Sequence, residues 1–263
     1  MLLCSLSLHI WKQRVMRLTK YVTKLAKDEL LLREISMNQS RMKLVSLNVG
    51  LPRKVKFRGE VVTTGIYKEP VKGRVRLRKL NLEGDKQADL TVHGGEDKAV
   101  YAYPMEHYEY WRRMLPNADL AWGAFGENFT TEGLVEDAVN IGDEYKIGTA
   151  KLMLVQPRMP CYKLGVKFGR ADIIKHFLVS GRSGFYFRVL QEGEVRAGDA
   201  IELISRDKNN ITVKDVVRLF THDKEDIEKL ERASRVEALP EEWRDHFHKK
   251  LSESHEQTKH IKN

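Results

Sequence analysis

The chain has 263 residues, 41% apolar and 32% charged, and its 46 Lys and Arg against 37 Asp and Glu give a net charge of +9. Such a composition supports one large domain or a main domain with an appendage. It excludes disorder as the overall state, because Val, Ile, Leu and aromatic residues recur through the middle of the chain.

Residues 1–42 read as an N-terminal extension, helical or disordered, with 8 basic and 3 acidic residues. Leu18, Val22 and Leu25 fall at helical spacing while Lys20, Lys24 and Lys27 turn elsewhere, which allows a basic amphipathic helix lying on a membrane surface. The plainer reading is a dispensable extension, since termini are the loosest parts of most chains. Lys12, Arg14 and Arg17 follow the apolar segment Met1–Trp11 rather than precede it, which argues against a signal peptide. No apolar run reaches the roughly 18 residues that a membrane span needs. The expected location is cytoplasmic.

Residues 43–210 read as short strands between glycine turns. A strand is expected at Lys43–Val49, followed by the alternating Arg74-Val-Arg-Leu-Arg78 and by a strand Leu90–Val92 ending at His93-Gly94-Gly95. Pro104 suits a first helical position, Met105, Tyr108, Trp111 and Leu115 form a core-facing stripe, and Pro116 stops that helix. Gly142-Asp143 and Gly198-Asp199 each open a further strand, Glu144–Ile147 and Ala200–Ile204, and another is expected at Lys151–Val155. Turns of this kind between short strands point to a closed or nearly closed β-barrel.

Residues 211–263 read as a small three-helix domain. Thr212 with Asp215 forms a capping box, Asp223 caps a second helix to about Ala233, and Pro240 starts a third running to Leu251. With 11 basic and 12 acidic residues this tail lacks the electrostatic footprint of a DNA-binding arm.

Two cysteines, Cys4 and Cys161, exclude a disulfide-stapled fold and any zinc or iron–sulfur site built from thiolates alone. Cys161 follows Gln156-Pro-Arg-Met-Pro, where two prolines fix the approach and Arg158 and Lys163 favour a thiolate. It is either a buried small hydrophobe, a nucleophile or a metal ligand. His93-Gly94-Gly95 with Lys98 is either an anion-binding loop or a plain turn. The ten basic residues of Arg53–Lys79 form a solvated face or a phosphate site. Neither a G-x-G-x-x-G fingerprint after a strand nor a P-loop or nucleophile elbow occurs in the sequence.

Taken in order, Gly84-Asp85-Lys-Gln-Ala-Asp89, His93-Gly-Gly-Glu-Asp-Lys98, Gly126-Glu-Asn128, Gly142-Asp143, Gln156-Pro-Arg-Met-Pro-Cys161 and Gly184-Phe-Tyr-Phe-Arg-Val-Leu190 resemble the MOSC domain. The helical tail resembles the three-helix domain of YiiM-like bacterial proteins. The resemblance covers about residues 43–255 and implies an α+β fold, a MOSC-type β-barrel followed by three helices. It implies a molybdenum cofactor, molybdopterin, with Cys161 as catalytic residue and metal ligand. The cofactor contacts it suggests are His93, Gly94, Gly95, Lys98, Asn128, Arg158 and Arg188. The activity implied is reduction of N-hydroxylated compounds such as 6-hydroxylaminopurine, with N–O cleavage to amine and water. A cofactor carrier without turnover and a persulfide sulfur carrier on Cys161 are the alternatives. The reductase reading calls for a separate electron-donating partner, a flavoprotein, and for a small-molecule substrate; no nucleic acid is expected as partner.

Overall fold

Lys43–Val49 forms the first strand of the fold (β1), with Leu44 and the run Ser46-Leu47-Asn48 buried. The computed structural model describes residues 42–221 and 226–261, so the expected amphipathic helix of residues 1–42 and the Asp223 cap lie outside the described residues. After β1 come β2 (Arg53–Phe57), β3 (Glu60–Thr64), β4 (Glu69–Pro70), β5 (Val75–Leu77), β6 (Val100–Pro104) and β7 (Phe129–Glu132). Then follow β8 (Glu144–Ile147), β9 (Ala150–Pro157), β10 (Phe185–Gln191), β11 (Gly193–Val195) and β12 (Ile201–Ser205). Eight of these pair in the order β12-β8-β9-β10-β6-β7-β1-β4, and β6 with β7 is the parallel pair.

The sheet curls until its ends meet. Leu44 N donates to the Asp199 carbonyl at 2.9 Å, Gly198 N to the Leu44 carbonyl at 2.7 Å and Ile201 N to the Met42 carbonyl at 2.9 Å. Leu44, Leu47, Phe129, Tyr145, Leu152, Phe185 and Phe187 fill the interior. The β2–β3 hairpin stands apart as its own ribbon, and its basic side chains are exposed.

Leu90–Val92 is not a strand. Leu90–His93 is a short helix (α1), because the Asp89 carboxylate accepts from Thr91 N at 3.0 Å and from Thr91 Oγ1 at 2.6 Å. The apolar residues that suggested a strand, Leu90 and Val92, are exposed. Asp at an N-cap outweighs a three-residue apolar pattern here.

The aromatic stripe forms α2 (Tyr108–Met114) after a tight turn at Met105–His107. It builds a second core outside the barrel, where Trp111 stacks on Phe177 with ring centroids 5.7 Å apart. Phe177 belongs to α4 (Ile173–Ser180), which follows α3 (Tyr162–Phe168).

The tail holds α5 (Val213–Thr221), α6 (Ile227–Ser234) and α7 (Glu241–Ile261). The capping box is formed: Thr212 N donates to Asp215 Oδ2 at 3.2 Å and Asp215 N to Thr212 Oγ1 at 3.0 Å. Asp226 caps α6 by accepting from Lys229 N at 3.0 Å. The last helix runs ten residues beyond the expected Leu251, to Ile261. Leu230, Trp243 and Phe247 belong to the same apolar cluster as the barrel interior, so these helices share the barrel's core instead of standing beside it. Among the described residues no helix is long and apolar enough to cross a membrane.

Candidate functional site

Cys161 closes the loop between β9 and α3, and its extended backbone, with φ −115° and ψ 170°, puts it at the N-cap of that helix. Pro157 and Pro160 bracket the loop, and Arg158 N donates to the Gly184 carbonyl at 3.2 Å, which pins the loop to the start of β10. The His93 imidazole, at the end of α1, lies beside the Cys161 sulfur and favours its thiolate. Burial pushes the thiol up, but the His93 imidazole, the Arg158 charge and the Lys163 backbone N–H outweigh it. They hold Cys161 at about 7, against an ordinary 9.0. Such a thiol is half ionised near neutrality and is a competent soft ligand or nucleophile.

Arg158 is 5% exposed, and its guanidinium lies 5.0 Å over the Tyr101 ring and 5.3 Å over that of Phe177. It lies beside Tyr186, and its Nη1 is buried with no hydrogen-bond partner among the described residues. A buried, unpartnered guanidinium nitrogen is costly, and an anion in the cavity would satisfy it.

Cys161 stands where two chambers meet. The inner one, of about 90 Å³, is lined by Arg158, Lys163, Lys68, Asn128 and Gly126. The outer one, of about 430 Å³, is bounded by Pro160, Phe220, Trp243 and His246. His93, Lys98, Met159, Cys161 and Tyr186 belong to both.

The glycine loop before β7 shapes the inner wall. Gly126 has φ +82°, and a Cβ there would lie 2.7 Å from Ile66 Cγ1, so only glycine fits. Glu127 is fully buried and ties the loop down, accepting from Gly123 N at 2.8 Å, Phe125 N at 3.0 Å and Thr130 Oγ1 at 2.9 Å. Asn128 faces the chamber, but its amide is committed to the scaffold: Nδ2 donates to Asp85 Oδ2 at 2.9 Å and Oδ1 accepts from Tyr101 N at 3.2 Å. Asp85 also holds the buried Lys68 ammonium at 2.5 Å, and burial lowers that lysine's pKa more than the carboxylate raises it.

Of the residues singled out in the sequence, His93, Lys98, Asn128, Arg158 and Cys161 line the inner chamber. Gly94 and Gly95 do not. They line a separate cleft with Pro240 and Glu242, and a Cβ on Gly94 would fall 2.7 Å from the Leu90 carbonyl oxygen. The glycine pair serves the tight exit from α1. Arg188 also lies outside the chamber: its Nε donates to Asp97 Oδ1 at 2.6 Å. Most of the Arg53–Lys79 basic stretch is solvated or ion-paired elsewhere, as in Arg78–Glu83 and Arg76–Glu192, and only Lys68 of it reaches the chamber.

Tyr186 is the residue that the reading of β10 missed. On a strand it shares a face with Arg188, one repeat nearer the cysteine loop, and alternation alone gives no way to choose between them. Phe220, Trp243 and His246 carried only a helical core signal in the sequence. Among the described residues no group of three or more His, Cys, Asp or Glu side chains converges as it would around a metal ion held by the protein alone.

A MOSC domain model matches residues 89–202, and a model of the YiiM-like, 3-alpha helix domain matches residues 211–253. The chain is 44% identical over 214 residues to the uncharacterized protein YflK of Bacillus subtilis (strain 168), covering 81% of this chain and 96% of that one. It is 36% identical over 180 residues to a protein of Gibberella moniliformis (strain M3125 / FGSC 7600) named Reductase. That match spans 67% of this chain and 32% of the fungal protein. The crystal structure of YiiM from Geobacillus stearothermophilus matches with a TM-score of 0.67 and 37% identity, covering 80% of this chain and 99% of that one.

Proposed function

The chain belongs to the MOSC-domain family, in the group that carries a YiiM-like three-helix domain, and on that premise we propose that it is a molybdenum cofactor-dependent reductase cleaving the N–O bond of N-hydroxylated compounds such as 6-hydroxylaminopurine. MOSC domains are associated with the molybdenum cofactor, and a relative is named reductase.

The observation that carries the reading is the acidified Cys161 thiol beside the unpartnered Arg158 Nη1, at the junction of two chambers. A thiolate is a soft donor suited to a redox metal, and an orphaned buried guanidinium nitrogen is suited to an anionic cofactor. Cys161 would hold the metal, with Arg158 and Lys163 facing the anionic parts of the pterin. When bound, the cofactor supplies a two-electron centre, so that an N-hydroxyl group and two protons become an amine and water.

The protein's own contributions are electrostatic and geometric. His93 lies against the sulfur and favours its thiolate form. The Tyr101 and Phe177 rings, at 5.0 and 5.3 Å, seat the Arg158 guanidinium beside the cavity. The outer chamber leaves the Cys161 side open to a small molecule, which a cofactor carrier or persulfide carrier does not require. Electrons come, in this reading, from a separate flavoprotein.

The test is to purify the chain from a host that makes molybdenum cofactor, measure molybdenum by mass spectrometry, and follow reduction of 6-hydroxylaminopurine to adenine with reduced viologen. Near-stoichiometric molybdenum with metal-dependent reduction is expected. Molybdenum without reduction would favour the carrier, and sulfane sulfur on Cys161 without molybdenum the persulfide.

A further inference from the structure

The outer chamber is walled by aromatic rings from the helical tail. Phe220, at the end of α5, packs against Trp243 with centroids 5.1 Å apart and against His246 with centroids 4.9 Å apart, both from α7. Trp243 is buried and its Nε1 is occupied by Gln156, so it serves as the backing of the wall. Phe220 is 39% exposed although two aromatic rings pack against it. His246 lines the same chamber, and its Nε2 is shielded from solvent with no hydrogen-bond partner among the described residues. A half-covered ring beside an unpaired ring nitrogen, in a chamber that opens on a reactive thiol, calls for a ligand with a π-face and a polar edge.

We infer that the outer chamber is a stacking site for a planar nitrogen heteroaromatic ring, with Phe220 as its platform and His246 Nε2 as the group that pairs with the ring's edge. The reductase reading identifies which group on that ring would react, and to that extent the inference rests on it; the stacking site is derived from the wall alone. It predicts a preference for N-hydroxylated bases over aliphatic hydroxylamines, imposed by the tail. The barrel would carry the chemistry while the helices select what reaches it.

The experiment uses the full chain, with and without molybdenum cofactor, and adenine as an unreactive probe in isothermal titration calorimetry. Wild-type protein is expected to bind adenine in both forms. Phe220→Ala should weaken that binding roughly five- to hundred-fold, the range for losing one base–aromatic stack, and His246→Ala roughly two- to ten-fold, as for one hydrogen bond. Phe220→Tyr, which keeps the π-face, should bind adenine nearly as wild type does. Where reduction is measurable, Phe220→Ala should raise KM for 6-hydroxylaminopurine by more than it lowers kcat, and should raise KM for hydroxylamine itself by less.

Adenine affinity equal in wild type and Phe220→Ala overturns the inference. So does loss of adenine binding on cofactor loading, which would mean that the pterin occupies the outer chamber. Adenine binding through Phe220 in a loaded protein that reduces nothing would uphold the stacking site and sink the reductase reading alone.

Discussion

Nε1 of Trp243 donates to Oε1 of Gln156 at 3.0 Å, and the same glutamine's Nε2 donates to the Asp97 carbonyl at 3.0 Å. One buried amide thus joins the last helix, the strand that leads to Cys161 and the turn that follows His93. Gln156 sits one residue before the cysteine loop, so this side chain adds to the backbone pairing of Ile211 and Val213 with Ile141 and Val139 in holding the tail in register with the site.

Trp243→Phe keeps most of the ring and removes the indole donor, leaving Gln156 Oε1 buried without a partner. The expected cost is about 1–3 kcal/mol. At roughly 2–4 °C per kcal/mol for a domain of this size, the melting temperature should fall measurably. Thermal unfolding followed by circular dichroism checks this, and an unchanged midpoint would show that the bond does not tie the tail to the barrel.

In metal-free protein the rate of Cys161 alkylation by iodoacetamide should rise with pH around a midpoint of about 7. The sign follows from the thiolate being the reactive species: it predominates above the pKa and is lost as pH falls through it. Replacing His93 with Ala removes the largest of the effects that lower the thiol, so the midpoint should move up. A midpoint that stays put would show that His93 does not favour the thiolate.

Arg158→Met should lower cofactor retention without unfolding the protein. The substitution removes a buried guanidinium whose Nη1 has no partner, and the methionine chain can pack against the same Tyr101 and Phe177 rings. Cys161→Ser should lose molybdenum outright at nearly unchanged stability, since it swaps atoms at almost constant volume. Metal content and urea midpoints of both variants decide. Full metal occupancy in Cys161→Ser would refute the ligand assignment.

NADPH alone should not drive turnover by the purified, loaded chain, whereas reduced viologen should. The sequence holds no dinucleotide fingerprint after a strand, and two cysteines cannot build a four-thiolate cluster. With a flavoprotein donor the rate should fall as salt is added, because a chain of net charge +9 attracts an acidic surface over distances that ions screen. Steady NADPH oxidation without a partner would show the electron path to be internal.

Local rules found β1, β5, β8, β9 and β12, which their own residues signal, and gave no sign of β2, β3, β4, β6, β7 or β11. Lys43–Val49, Glu144–Ile147 and the Thr212–Asp215 capping box all follow from local patterning or capping. They failed at α1, where one aspartate's hydrogen bonds outweighed an apolar triplet. The cysteine loop was legible from its prolines and flanking charges. Arg188 was misplaced because sequence gives the face of β10 but not which end of it meets Cys161, and that depends on pairing with β9 and β6. The wall made by Phe220, Trp243 and His246 was invisible for a similar reason. Helical spacing marks a ring as inward-facing, yet only the docking of α5 and α7 on the barrel leaves one of these rings half uncovered.

The seam between β1 and the segment Gly198–Ile201 sets a timetable for biosynthesis. Leu44 is among the first barrel residues to leave the ribosome, while Asp199, whose carbonyl it must find, is made on the order of ten seconds later at translation rates of about 5–20 residues per second. Throughout that interval the nascent chain offers an unpaired strand edge to chaperones and proteases. A transcript cut short between Val195 and Ile201 yields a polypeptide with eleven of the twelve strands and without the strand that meets β1 to close the barrel.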